Sequence, residues 1–141
     1  MPSAHEMLQP VVALVAWSMV MWTWMYVTRI PAILGSKMQL DPQRPRGEQM
    51  AELPANVRWK ADNYNHLLEQ PPLFYATVLG LALLGDQSAA SVYLAWAYVG
   101  LRILHSLLQT MTNHIPSRFA LFFVSSLVLF ALALRAAMLA F

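Results

Sequence analysis

Two groups of polar side chains recur at helical spacing and could together carry chemistry. The first lies in the stretch RWKADNYNHLLEQPPLF and comprises Arg58, Asp62, Asn65, His66 and Glu69. The second lies further along the chain and comprises Arg102, His105 and Gln109. At 3.6 residues per turn, members of each group share one face of a helix. Arginines bind carboxylates through two parallel hydrogen bonds and a glutamate can hold an ammonium, so the two groups predict a site for a small zwitterionic or anionic solute.

Two further arginines are expected beside these groups. Arg29 ends the first apolar run of the chain, and Arg118 directly precedes the last one. An arginine near a thiol lowers the thiol pKa and so raises the thiolate fraction. The alternative is that the polar stripes pair with each other or across subunits and only specify helix packing, as polar residues do in membranes. Spacing alone favours neither interpretation.

A metal centre is a competing interpretation of the first group. Asp62, His66 and Glu69 form a D-x-x-x-H-x-x-E pattern on one helix face, and helical bundles build carboxylate–histidine metal centres in this way. One helix supplies only three ligands, however, and His105 is the only obvious addition. We therefore assign no metal ligands. The chain also has no cysteine, no serine in a nucleophile elbow and no glycine-rich phosphate loop.

The composition indicates the elements that must position these residues. Of 141 residues, 58% are hydrophobic and 11% are charged, which is typical of an integral membrane protein and unlike a soluble domain. A chain of this length holds about four membrane spans and no separate soluble domain. The net charge of +2 does not require nucleic acid as a partner, because most of the nine basic residues lie in one loop and its flanks. The positive-inside rule accounts for them.

The predicted architecture is an all-α, four-helix, up-down-up-down membrane bundle in a single domain. We expect Pro10 in the first turn of helix one, a kink in helix two at Pro71 and Pro72, and Ser117 as the N-cap of helix four. A signal peptide is disfavoured because no lysine or arginine precedes the first apolar run. Charge places the loops after helices one and three in the cytoplasm and the termini on the opposite side. The predicted helices cover about residues 8–28, 55–84, 90–112 and 117–140, with a loop over about 29–54.

Two segments of the chain resemble a known family. HLLEQPPLF, at the end of the first polar group, and IPSRFALFF, at the start of the last span, are similar to the MAPEG family, the membrane-associated proteins in eicosanoid and glutathione metabolism. The resemblance extends over nearly the whole chain. It implies a homotrimer in the bacterial inner membrane, with glutathione as cosubstrate bound between subunits on the cytoplasmic side. A hydrophobic electrophile would then arrive from the surrounding lipid.

The resemblance also implies roles for individual residues. Arg118 matches the family arginine that stabilises the thiolate, which makes it the predicted catalytic residue, and Glu69 matches the glutamate that holds the amino group of the peptide. Asp62 and His66 stand where classical members have arginine and asparagine. The predicted glutathione-binding residues are Arg29, Arg58, Asp62, Asn65, His66, Glu69, Arg102, His105 and Gln109. The alternative function is a non-catalytic trimeric membrane protein that binds a lipid or a partner through the same cleft.

Overall fold

A computed structural model describes residues 3–141 and shows four helical legs, of which the second is divided in two. Its helix α1 packs against the second leg and against α4, and α4 packs along α5. The predicted fold class, an all-helical up-down-up-down bundle, is confirmed. The helices are α1 (Ala4–Gly35), α2 (Ala55–Glu69), α3 (Pro71–Leu83), α4 (Ala89–Met111) and α5 (Ile115–Ala140), with a short 3-10 helix at Gln49–Glu52.

The first helix extends beyond the predicted 8–28 at both ends. At its start, the Ser3 hydroxyl accepts from the Glu6 N–H and the Glu6 carboxylate accepts from the Ser3 N–H at 2.7 Å, which is a capping box. At its end, the helix runs through Pro31 to Gly35. Pro10 lies inside the helix and not in its first turn, because the capping box moves the start to Ala4. Each interior proline removes one backbone hydrogen bond, which the long helix tolerates.

The predicted kink in helix two is a full interruption at Gln70. α2 ends at Glu69 and α3 begins at Pro71, since Pro71 and Pro72 have no N–H to give to the preceding turn. The Gln70 side chain spans the interruption: its Nε2 donates to Ser126 Oγ at 2.8 Å, and its Oε1 accepts from the Tyr98 hydroxyl at 3.1 Å. Gln70 thus ties the division between α2 and α3 to both α4 and α5.

Three helices, α1, α4 and α5, are long and apolar enough to cross a membrane. The fourth membrane crossing consists of α3, which has 13 residues and is about 20 Å long, together with the end of α2. Phe74 of α3 is buried and stacks on Tyr98 of α4 with ring centroids 4.4 Å apart. Leu81 and Leu132 continue this buried layer toward the far end of the bundle.

A buried carboxylate fastens the α3–α4 turn to α5. Gly85, with a φ of 74° that favours glycine, turns the chain into Asp86. The Asp86 carboxylate accepts from Arg135 Nε and Nη2, both at 2.9 Å, from the Ser88 N–H at 3.0 Å and from the Ser91 hydroxyl. These partners, Arg135 foremost, lower the Asp86 pKa to about 2. We call the Asp86–Arg135 pair the far-end clamp.

We expect Asp86→Asn to lower the free energy of unfolding by about 2 kcal/mol at neutral pH, because hydrogen bonds to a buried charge are lost. The pKa of Asp86 is lower in the folded protein than the value near 3.8 in the unfolded chain, so the ionised carboxylate stabilises the fold above that pH. This stabilisation is lost as the pH falls toward about 2. Thermal unfolding in detergent, at pH 7 and from about pH 4 downward, measures both effects. Asp41→Asn in the exposed loop is the matched control. If Asp86→Asn lost stability with falling pH as steeply as the unaltered protein, the attribution of this pH dependence to Asp86 would be contradicted.

Candidate functional site

Side chains from α2, α4 and α5 line an open cleft of about 240 Å³, which we call the polar cavity. α2 contributes most of them, because its polar residues recur every three or four positions and so share a face. α4 contributes an amide from its last turns and α5 an arginine from its first turn. The lining residues are Asp62, Asn65, His66, Glu69, Gln109 and Arg118. Six of the ten predicted site residues are thereby brought together.

Arg118 is positioned by the short turn between α4 and α5. Its guanidinium donates to the Asn113 side-chain oxygen, and Asn113 adopts a left-handed backbone with a φ of 50°. The predicted N-cap was wrong: His114 is the N-cap, while Ser117 lies in the first turn and contacts His114 Nδ1 at 2.8 Å. α5 therefore begins two residues earlier than predicted, and Arg118 sits in its first turn facing the polar cavity.

A second space of about 170 Å³, the apolar cavity, adjoins the first. Ile115, Phe119 and Phe122 of α5 form most of its wall. His66 and Arg118 line this cavity as well as the polar one, and they are therefore the residues at which the two spaces meet.

Two histidines and a carboxylate meet at this junction. His66 Nδ1 lies 3.3 Å from Glu69 Oε2, which is ion-pair distance. On its other side, the His66 ring meets the His105 ring edge to face, with centroids 5.8 Å apart. His105 is buried and lines the apolar cavity only. His66 Nδ1 makes no hydrogen bond to this carboxylate, and a neutral imidazole offers a donor on one ring nitrogen and an acceptor on the other to a bound group.

Arg102 lies behind the cavity wall and lines neither the polar nor the apolar cavity. It is 1% exposed, and its Nη2 donates to the backbone carbonyl of His66 at 2.9 Å. Carbonyls in the last turn of a helix lack helical partners, and His66 lies in the last turn of α2. Tyr98 and Phe122 rings flank the guanidinium, at 5.9 and 5.6 Å. Arg102 therefore holds the backbone of His66 and forms no ion pair within residues 3–141.

The remaining two arginines line a separate space of about 220 Å³, the basic cavity. Arg29 comes from α1 and Arg58 from the first turn of α2. Asp62 and Asn65 line this cavity as well as the polar cavity, and so form the partition between them. The structure thus divides the predicted binding residues among the basic, polar and apolar cavities, with Arg102 in none of them, a division that the sequence could not show.

The sequence analysis missed several buried polar residues. Asn63 is fully buried beside the α2 polar face, and neither of its amide atoms has a protein partner; Ser106 Oγ is likewise unpartnered, as is Oε1 of Gln109, which the sequence did predict. The spacing of Asn63 from His66 was a usable signal, since the two residues lie one turn apart. Across residues 3–141 no group of three or more histidine, cysteine, aspartate or glutamate side chains is arranged to hold a metal ion.

Comparisons with known proteins give one match. A family model described as the MAPEG family matches residues 7–138, which is nearly the whole chain. No curated protein and no solved structure matches it.

Proposed function

Because the chain belongs to the MAPEG family, we propose that it is an integral membrane enzyme that binds glutathione or a similar small thiol and transfers it to an apolar electrophile or reduces a peroxide with it. One observation carries the proposal: a polar and an apolar cavity meet at His66 and Arg118. A polar thiol in one space and an apolar substrate in the other would bring their reacting atoms to this junction. Holding two reactants side by side in this way lowers the entropic part of the activation barrier.

The polar cavity suits a zwitterionic peptide thiol. Asp62 and Glu69 offer carboxylates to an ammonium, and Asn65 and Gln109 offer amide donors to carboxylates. Arg118 is the one arginine in the lining. In this proposal Arg118 stabilises the thiolate, which is the role that the family resemblance implies for it.

The proposed reaction begins with transfer of the thiol proton to His66 Nε2. Glu69 Oε2 lies 3.3 Å from Nδ1, the opposite ring nitrogen of His66. The thiolate sulfur, held beside Arg118, then attacks the electrophilic carbon and forms the carbon–sulfur bond. The proton on His66 passes to the leaving group or to the anion that develops on the electrophile, which returns His66 to its neutral form.

The proposal includes an assembly and an orientation. The outer faces of α1 and α5 carry exposed apolar and aromatic side chains, among them Trp22, Tyr26, Phe123 and Phe130, which can face lipid or a neighbouring copy. We propose a homotrimer on the family pattern, in the bacterial inner membrane. The basic loop after α1 and the α4–α5 turn face the cytoplasm under the positive-inside rule.

Glutathione titrated onto the purified protein tests this proposal. We expect a saturable rise in thiolate ultraviolet absorbance at millimolar glutathione, because the site favours the ionised thiol. S-methylglutathione, which has no thiol proton, should compete for the site without producing the absorbance. If neither compound changes the absorbance or the thermal unfolding temperature, the non-catalytic alternative is favoured over the enzyme.

A further inference from the structure

The basic cavity is built differently from the polar cavity. Its floor is apolar and includes Met50, Leu53 and Val57, of which Leu53 and Val57 are buried. Its charged groups are two arginines and one aspartate, Arg29, Arg58 and Asp62. A fully water-soluble solute gains little from such a floor, whereas a molecule with a charged head and an apolar body can use all of it.

The charged groups of this cavity are free to bind a ligand. Among residues 3–141, the ion pairs are Arg44–Glu52, His66–Glu69 and Asp86–Arg135, so Arg29, Arg58 and Asp62 are in none of them. Arg58 and Asp62 stand one turn apart on α2, which is close enough to pair, yet they do not. A bound group with both a negative and a positive charge would satisfy the arginines and the aspartate together.

The cavity also lies where apolar helical sequence gives way to the basic loop, a position that suits a lipid headgroup. Arg29 stands where the apolar run of α1 gives way to the basic loop, and Arg58 stands at the start of α2, before the apolar α3. The 3-10 helix at Gln49–Glu52 folds the loop over this point, since Met50 and Ala51 line the cavity. Basic pockets between membrane helices are typical binding sites for lipid headgroups.

We propose that the basic cavity binds the headgroup of an amine-bearing phospholipid. The phosphate lies on Arg29 and Arg58, the ammonium on Asp62, and the glycerol and the first part of the acyl chains on the apolar floor. Arginine recognises phosphate through parallel hydrogen bonds, and the carboxylate distinguishes an amine headgroup from a neutral one. The arginines that hold the phosphate line only the basic cavity, so this part of the inference does not depend on the proposed thiol chemistry; Asp62 also lines the polar cavity, where Glu69 is the second carboxylate available to the ammonium of a thiol.

Thermal unfolding of the delipidated protein in detergent micelles doped with defined lipids tests the inference. At about ten times the dissociation constant, we expect phosphatidylethanolamine to raise the unfolding temperature by ~5 °C. Phosphatidylglycerol, which has the phosphate and no amine, should give a smaller rise. Inorganic phosphate alone should give none, which distinguishes a lipid from a free anion as the source of the shift.

Variants assign the effect to the cavity. The double variant Arg29→Gln/Arg58→Gln should lose the shift, and Asp62→Asn should lose only the preference for phosphatidylethanolamine over phosphatidylglycerol. Arg46 is an exposed arginine of the loop after α1, and Arg46→Gln should keep both the shift and the preference for phosphatidylethanolamine. Each variant is first measured without lipid, so a folding defect is seen separately. An equal shift from inorganic phosphate, a shift retained in the double variant, or a glutathione response lost in that variant would overturn the inference.

Discussion

Replacing Arg118 by alanine is expected to lower kcat/KM for thiol transfer by about 100- to 1000-fold, the effect typical of removing one group that stabilises developing charge. Arg118 lines both the polar and the apolar cavity and is oriented by Asn113 in the α4–α5 turn. Without the guanidinium, the bound thiol ionises at higher pH, and its thiolate absorbance should disappear at neutral pH. Steady-state kinetics and the absorbance titration measure the two effects independently.

Two control variants separate charge from structure in this prediction. Arg118→Lys retains a positive charge without the planar fork and should recover part of the activity. Arg46→Ala removes an arginine from the exposed loop and should leave kcat/KM unchanged. Activity retained in full by Arg118→Ala would show that the thiol ionises elsewhere.

Replacing His66 by asparagine is expected to lower kcat/KM by about 100-fold at neutral pH, the lower end of the range for a general base. The Glu69 carboxylate lies 3.3 Å from Nδ1 of His66, and Arg102 holds the His66 backbone carbonyl, so the backbone of His66 is fixed beside the junction of the two cavities. The loss should shrink as pH rises toward the pKa of a free thiol, near ~8.5, because the thiol then ionises without a base. A pH profile of kcat/KM measures this dependence.

His114→Asn is the matched control for this variant. His114 lies in the α4–α5 turn, near Arg118 in sequence but outside the lining of the three named cavities. The His114→Asn variant should leave the pH profile of kcat/KM unchanged. A loss in His66→Asn that is the same at every pH would assign His66 to substrate binding and not to proton transfer.

The sequence predicted the fold and one face of the site for physical reasons that act locally. The 3.6-residue period placed Asp62, His66 and Glu69 on one side of α2, and all three line the polar cavity. The paired prolines predicted the disturbance after Glu69, since it follows from a missing N–H. The capping box at Ser3 could also have been recognised, because Glu6 stands at the required spacing.

The parts that sequence could not predict depend on how helices meet. Nothing local indicates that Arg102 would donate to the His66 carbonyl, because that contact joins α2 to α4 across a bundle whose angles the sequence does not give. The separation of Arg29 and Arg58 from Arg118 has the same origin. It is fixed by the loop that folds back at Met50 and by the partition that Asp62 and Asn65 form.

The far-end clamp has a consequence for the register of α5 in the bundle. Asp86 lies between α3 and α4, and Arg135 lies near the end of α5. Because Nε and Nη2 of Arg135 both donate to this one carboxylate, α5 cannot shift by a helical turn along α3 and α4 without breaking both hydrogen bonds. Arg118 stands on the first turn of the same helix, so the clamp also sets the height at which Arg118 meets the polar cavity.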